Sequence, residues 1–120
     1  MSNTDPTSLP VLDPATLGEL QEIMGEGFFD LLKIFLRDMP IQVADIRAAA
    51  DQGDAAALYC SAHKLKSGSG AIGALQLAEL ARQLENLGRR GTLANIGPLL
   101  QQAQASAEQT STVLQALLPD

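Results

Sequence analysis

The chain has 120 residues, a net charge of −6, three phenylalanines, one tyrosine and no tryptophan. That length holds one domain with one core, and the acidic balance argues against a duplex-binding surface, which needs clustered basic residues to displace counterions. With so few aromatic residues, the core must come from leucine, isoleucine, valine and abundant alanine, a mixture that favours closely packed helices over a sheet. Residues 1–12, with Pro6, Pro10 and several small polar residues, are predicted to form a flexible N-terminal arm. Asp13-Pro14 marks a helix start, the carboxylate capping free amides and proline taking the first helical position. A short helix then runs through Leu17, Leu20 and Met24 and ends at Gly25 or Gly27.

From about Phe28 to Ala50, apolar residues recur at Phe28, Leu31, Leu32, Phe35, Leu36, Met39, Val43 and Ile46, the three-and-four spacing of an amphipathic helix. Pro40 interrupts this helix and should bend it, since its ring clashes with the carbonyl four residues back. Gly53-Asp54 reads as a stop followed by a new cap. The third helix, about 55–71, has its core face at Ala55, Leu58, Ala62, Leu65, Ser69 and Ile72, and Ser69 is expected to bond back to its own helix. Gly73 breaks the chain before a fourth helix, about 74–88, with Leu77, Leu80, Leu84 and Leu87 inward. Gly88 and Gly91 bracket Arg89-Arg90 as a turn. The last helix, about 95–118, carries Ile96, Leu99, Leu100, Ala103, Ala107, Val113, Leu114 and Leu117, with Pro98 near its start. The expected fold is all-α, an antiparallel four-helix bundle spanning residues 13–118 and including a short additional N-terminal helix.

Cys60 is the only cysteine, so it forms no internal disulfide and fits a reducing compartment. No apolar run approaches the roughly 20 residues that cross a bilayer, and the polar start lacks the regions of a signal peptide. A cytoplasmic protein with no membrane insertion and no nucleic-acid partner is expected.

Chemistry concentrates around the sole histidine, in the run His63-Lys64-Leu65-Lys66-Ser67-Gly68-Ser69-Gly70, which holds two of the three lysines. At about 100° per residue, the apolar residues of this helix centre about 130° from His63, so the imidazole should face solvent. Tyr59, Ser67 and Gly70 fall within about 40° of it, and Lys66 about 60° away. The ring therefore stands above a low shelf of hydroxyls and glycines. That shelf weakens the helix, because glycine is roughly 1 kcal/mol worse than alanine in a helix. Five of the eight basic residues, Lys64, Lys66, Arg82, Arg89 and Arg90, cluster between 64 and 90. A cation beside an imidazole favours the neutral, nucleophilic ring, and offsets the charge of a phosphoryl group once one is attached. One histidine and one cysteine make a thin metal-ligand set, and nothing places a hydrolytic triad around His63. No metal and no cofactor are expected. Lacking a Walker-type loop or a nucleotide-binding strand pattern, the chain is not expected to phosphorylate itself from ATP.

The run Ala62-His63-Lys64-Leu65-Lys66-Ser67-Gly68-Ser69, followed by Ile72-Gly73-Ala74 and Leu84-Glu85-Asn86-Leu87-Gly88-Arg89, resembles the histidine-containing phosphotransfer (HPt) domains of multistep phosphorelays. The likeness extends over the helix order from about Asp13 to Leu118. It departs at Ser67, where the family often has glycine directly after the lysine. The resemblance implies that His63 carries the phosphoryl group, that Lys66 steadies it and that the small residues admit a partner. It places Glu85 at a polar position on the neighbouring helix that helps hold the histidine or its phosphate region; read from the residues alone, Glu85 is equally a surface glutamate paired with Arg89. Ser67 and Glu85 thus form the expected phosphate environment, and Tyr59, Lys64, Gly70 and Arg82 the candidate docking positions. Of these, Lys64 lies on another face and suits a solvated charge, and a structural role also suits Tyr59.

The resemblance further implies reversible in-line transfer between His63 and the aspartyl phosphate of a receiver domain, the receiver supplying the magnesium site. Its partners are expected to be receiver domains of hybrid sensor kinases and response regulators, with the carrier itself a monomer. The competing reading is a helical binding module that docks receiver or kinase domains and regulates them without being phosphorylated.

Overall fold

Five α-helices and one short 3-10 turn make up the regular structure of residues 5–119, the part of the chain that the computed structural model describes. They are the 3-10 turn at Pro6–Ser8, then α1 (Pro14–Met24), α2 (Gly27–Asp51), α3 (Ala55–Ile72), α4 (Leu75–Arg90) and α5 (Gly97–Leu117). The described residues contain no strand, and α2 to α5 form the four-helix bundle, with α1 as the short leading helix. None of these helices is long and apolar enough to cross a membrane.

Local chemistry sets the boundaries. Asp54 caps α3, its carboxylate accepting from Ala57 N at 3.0 Å, which satisfies one of the free amides of the first turn. Gly73 and Gly91 end α3 and α4 in the left-handed region, at φ 84° and 71°, where glycine avoids the steric cost of a Cβ. Pro98 opens α5 as expected. Pro40 lies inside α2, which continues past it as a single helix. At the start of α1, Asp13 departs from the expected cap: its side chain bonds no amide and accepts from the Thr16 hydroxyl at 2.7 Å instead.

The core is aliphatic, with Leu32, Leu58, Leu65, Leu77, Leu80, Leu84 and Leu114 wholly enclosed. The predicted inner face of α3 is buried at Leu58, Ala62, Leu65, Ser69 and Ile72, while Ala55 at its start is only partly buried. On α5 the register differs. Val113 and Leu117 are exposed, and Ser106 and Thr110 are buried with Leu100, Ala103, Ala107 and Leu114. Thr110 fits the core because its hydroxyl donates to the Ser106 carbonyl at 2.7 Å, so its own polar hydrogen is paired, whereas the buried Ser106 hydroxyl has no hydrogen-bond partner. Ser69 does not bond back to its helix; its buried hydroxyl has no hydrogen-bond partner.

Two further expectations change. Residues 5–12 lie against the bundle: Pro6 is buried, Leu12 packs on the core, and the Pro10 carbonyl accepts from Gln76 N at 3.1 Å. An apolar foothold and a paired backbone carbonyl hold this segment in place; residues 1–4 of the expected arm lie outside the described residues. Gly88 and Arg89-Arg90 belong to the last turn of α4, with Gly91 alone forming the left-handed stop. Gly88 instead lets α4 approach α3 closely. A Cβ there would stand 2.7 Å from Tyr59 N and 2.9 Å from the Ala55 carbonyl oxygen.

Candidate functional site

The burial of α3 through Leu58, Ala62 and Leu65 leaves His63 on the outward side, its side chain 53% exposed. Across from it α4 presents Glu85, whose side chain is only 2% exposed. An unpaired carboxylate buried this deeply would cost several kcal/mol in lost hydration. Glu85 avoids that cost by facing two partners on α3. Its Oε2 lies 2.6 Å from His63 Nδ1, and its Oε1 accepts from Lys66 Nζ at 2.7 Å.

This pairing decides which nitrogen of the neutral ring carries the hydrogen. An ionised carboxylate can only accept, so Nδ1 carries the hydrogen and donates it. The neutral imidazole then keeps its lone pair on Nε2, at the edge away from Glu85. The carboxylate must stay ionised for this to hold. Burial pushes the Glu85 carboxyl up, but the hydrogen bonds and positive charge of Lys66 and His63 outweigh it and hold the group below the usual glutamate range.

A carboxyl held low in the folded state stabilises that state above its ordinary value of 4.5 and loses the contribution as pH falls through its folded value. Thermal unfolding of the native chain and of Glu85→Gln, followed from pH 5 to pH 3, should therefore show the native chain losing its advantage as the solution becomes more acidic. A gap between the two melting curves that stays constant over this range would show that Glu85 contributes nothing through its charge.

Of the other expected site residues, Ser67 and Gly70 are both exposed on the histidine side of α3. A Cβ at Gly70 would meet nothing within 4 Å, so no packing contact demands glycine there. Lys66 joins the site through Glu85. Lys64 is exposed, about 100° around the helix from His63. Arg82 is tied to Glu79 on its own helix, at 2.6 Å and 2.9 Å, and holds that carboxyl below its usual range. Glu85 is buried and faces His63 and Lys66, and Arg89 donates to Asn86 instead, so Glu85 is no surface glutamate.

Tyr59 comes closer to the site than its docking assignment implied. Its ring lies nearly parallel to the His63 imidazole, with centroids 6.1 Å apart and planes 19° from parallel. Arg89 stands over the Tyr59 ring at 5.5 Å. From the sequence, Arg89 is placed only in the basic cluster and as a partner for Glu85, and Gly88 reads as a turn; the signal available was a small residue three positions after Glu85, on the same face of α4. Among the described residues no group of three His, Cys, Asp or Glu side chains could hold a metal ion.

Comparison with known proteins bears on this arrangement. The family model of the Hpt domain matches residues 30–118. The structure is similar to that of histidine-containing phosphotransfer protein B (HptB) from Pseudomonas aeruginosa PAO1, at 34% identity and a TM-score of 0.86, over 89% of this chain and 93% of that one. It is also similar in fold to the HPT domain of the Hpt sensor hybrid histidine kinase from Shewanella, at 20% identity and a TM-score of 0.75, over 95% of this chain and 96% of that one. No curated protein matches the sequence.

Proposed function

The chain belongs to the Hpt domain family, and from that membership we propose that it is a phosphorelay carrier that takes a phosphoryl group on His63 Nε2 and passes it on. One observation supports the assignment to this atom. The buried Glu85 carboxylate engages Nδ1 and leaves Nε2 as the free lone pair of an exposed ring.

The donor is the aspartyl phosphate of a receiver domain. Nε2 attacks phosphorus in line while the bond from phosphorus to the aspartyl oxygen breaks, and the carboxylate leaves with that electron pair. Positive charge develops on the imidazole as the new bond forms, and Glu85, already hydrogen-bonded at Nδ1, stabilises it without reorganising. Lys66 balances the buried carboxylate in the resting state and offsets phosphoryl charge in the loaded one. Return of the group to a second receiver follows the same path in reverse.

The receiver docks over the outward face of α3 and the neighbouring face of α2. Ser67 and Gly70 keep the approach to Nε2 low. Ile34 and Ile41 of α2, 48% and 58% exposed, supply apolar surface that the bundle leaves uncovered. Lys64 and Arg82 stand at the rim. A docking module that is never phosphorylated would have no use for a buried carboxylate dedicated to one imidazole nitrogen, so the carrier reading is preferred.

The test is to incubate the purified chain with a panel of phosphorylated receiver domains and, separately, with ATP and magnesium. Acid-labile label should appear from at least one receiver, and none from ATP alone. Receivers that bind tightly but transfer nothing would favour the docking module, and labelling from ATP by the pure chain would require a kinase site.

A further inference from the structure

An imidazole that is half exposed and held by a single hydrogen bond can still swing about that bond, because a contact in the ring plane does not restrain motion of the ring face. His63 has a second restraint. Tyr59 lies one turn earlier on α3, with its ring 19° from parallel to the imidazole and the two centroids 6.1 Å apart, within the range of offset stacking.

Tyr59 is itself constrained from α4. Gly88 brings the α4 backbone against Tyr59 N and Cα, closer than any other residue would allow. The next residue, Arg89, places its guanidinium over the phenol ring at 5.5 Å, a cation–π arrangement. Arg89 is anchored in turn by donating to Asn86 Oδ1 at 3.0 Å, and Asn86 neighbours Glu85 in the chain. One turn of α4 therefore reaches His63 twice: through Glu85 to Nδ1, and through Arg89 and Tyr59 to the ring face.

We propose that Tyr59, steadied by Arg89, is a positioning residue that holds the His63 ring upright, so that Nε2 points along the line of phosphoryl transfer. It does not touch the phosphoryl group. Its effect operates through alignment, to which in-line transfer is sensitive: a displacement of about 1 Å can cost on the order of a hundredfold in rate. This inference rests on His63 being the phosphoryl acceptor.

The test uses Tyr59→Leu, Tyr59→Phe and Arg89→Gln in the full chain. Carbon-13 relaxation of the imidazole reads motion of the ring without any phosphotransfer, so it reports positioning even if no receiver transfers to the native chain. Native protein should show a rigid ring in one tautomer, protonated at Nδ1. Tyr59→Leu should keep that tautomer but show a mobile ring, and should transfer about tenfold more slowly at saturating receiver, with KM for the receiver little changed. Tyr59→Phe keeps the ring and should restore both readouts, while Arg89→Gln should fall between. Unchanged ring mobility with an unchanged saturating rate in Tyr59→Leu would overturn the proposal. A defect confined to KM would also overturn it and make Tyr59 a docking residue, as would equal impairment of the Leu and Phe variants, which would point to the hydroxyl.

Discussion

His63→Gln should fold as the native chain does and accept no phosphoryl group from any receiver. No other histidine exists to take its place. The ring is 53% exposed, so its removal opens no cavity in the core. Glu85 is the residue at risk, because it is buried and loses one partner. Lys66 still satisfies Oε1, and the glutamine amide can donate to Oε2, so the stability loss should stay near 1 kcal/mol. Circular dichroism should report unchanged helix content, and receivers that transfer to the native chain should leave the variant unlabelled. Acid-labile label persisting on the variant would place the phosphoryl group elsewhere.

Gly88→Val should lower stability by about 3 kcal/mol, near the upper range for overpacking a closed contact. The atoms that a Cβ would strike, at 2.7 Å and 2.9 Å, belong to the backbone of α3. Backbone cannot rotate aside as a long side chain can, so α3 and α4 must move apart. Glu85 lies one turn from Gly88 and would be drawn away from His63, so the folded fraction should also transfer more slowly. Gly70→Val is the matched comparison for stability: it too is helical, but its added atoms meet nothing within 4 Å. Its melting temperature should stay close to that of the native chain, while that of Gly88→Val falls by roughly 10 °C. Equal melting temperatures for the two variants would show that close approach is not what requires glycine at 88.

The helix order was readable from the chain because each boundary carried its own chemistry. Asp54 caps, Gly73 and Gly91 stop, and Pro98 starts, all through contacts within a few residues. The outward placement of His63 followed from the apolar face of α3 in the same way. What could not be read was anything that depends on how two helices are aligned. Glu85 and His63 are 22 residues apart, and whether the carboxylate meets the imidazole or Arg89 depends on the register of α4 against α3. Gly88 failed for the same reason. In the run Gly88-Arg89-Arg90-Gly91 both glycines look like turn residues, and only the approach of Tyr59 distinguishes them. On α5 the apolar Val113 was preferred to Thr110 as a core residue, because a hydroxyl satisfied by its own helix leaves no mark in the sequence.

The attachment of residues 5–12 separates two units that are easily equated. The match to the Hpt family model begins at residue 30. The bundle's own bonding begins much earlier. Asp13 N donates to the Gly73 carbonyl at 2.8 Å, and Pro10 receives the amide of Gln76, so the connection between α3 and α4 is laced to the segment from Pro10 to Asp13. Thr16 packs where a Cβ at Gly73 would otherwise sit. A fragment trimmed to the matched segment would uncover the hinge between the helix that bears the histidine and the helix that bears its carboxylate. The spacing of donor and acceptor in the site is thus maintained in part by a stretch of chain that lies ahead of the family model's match.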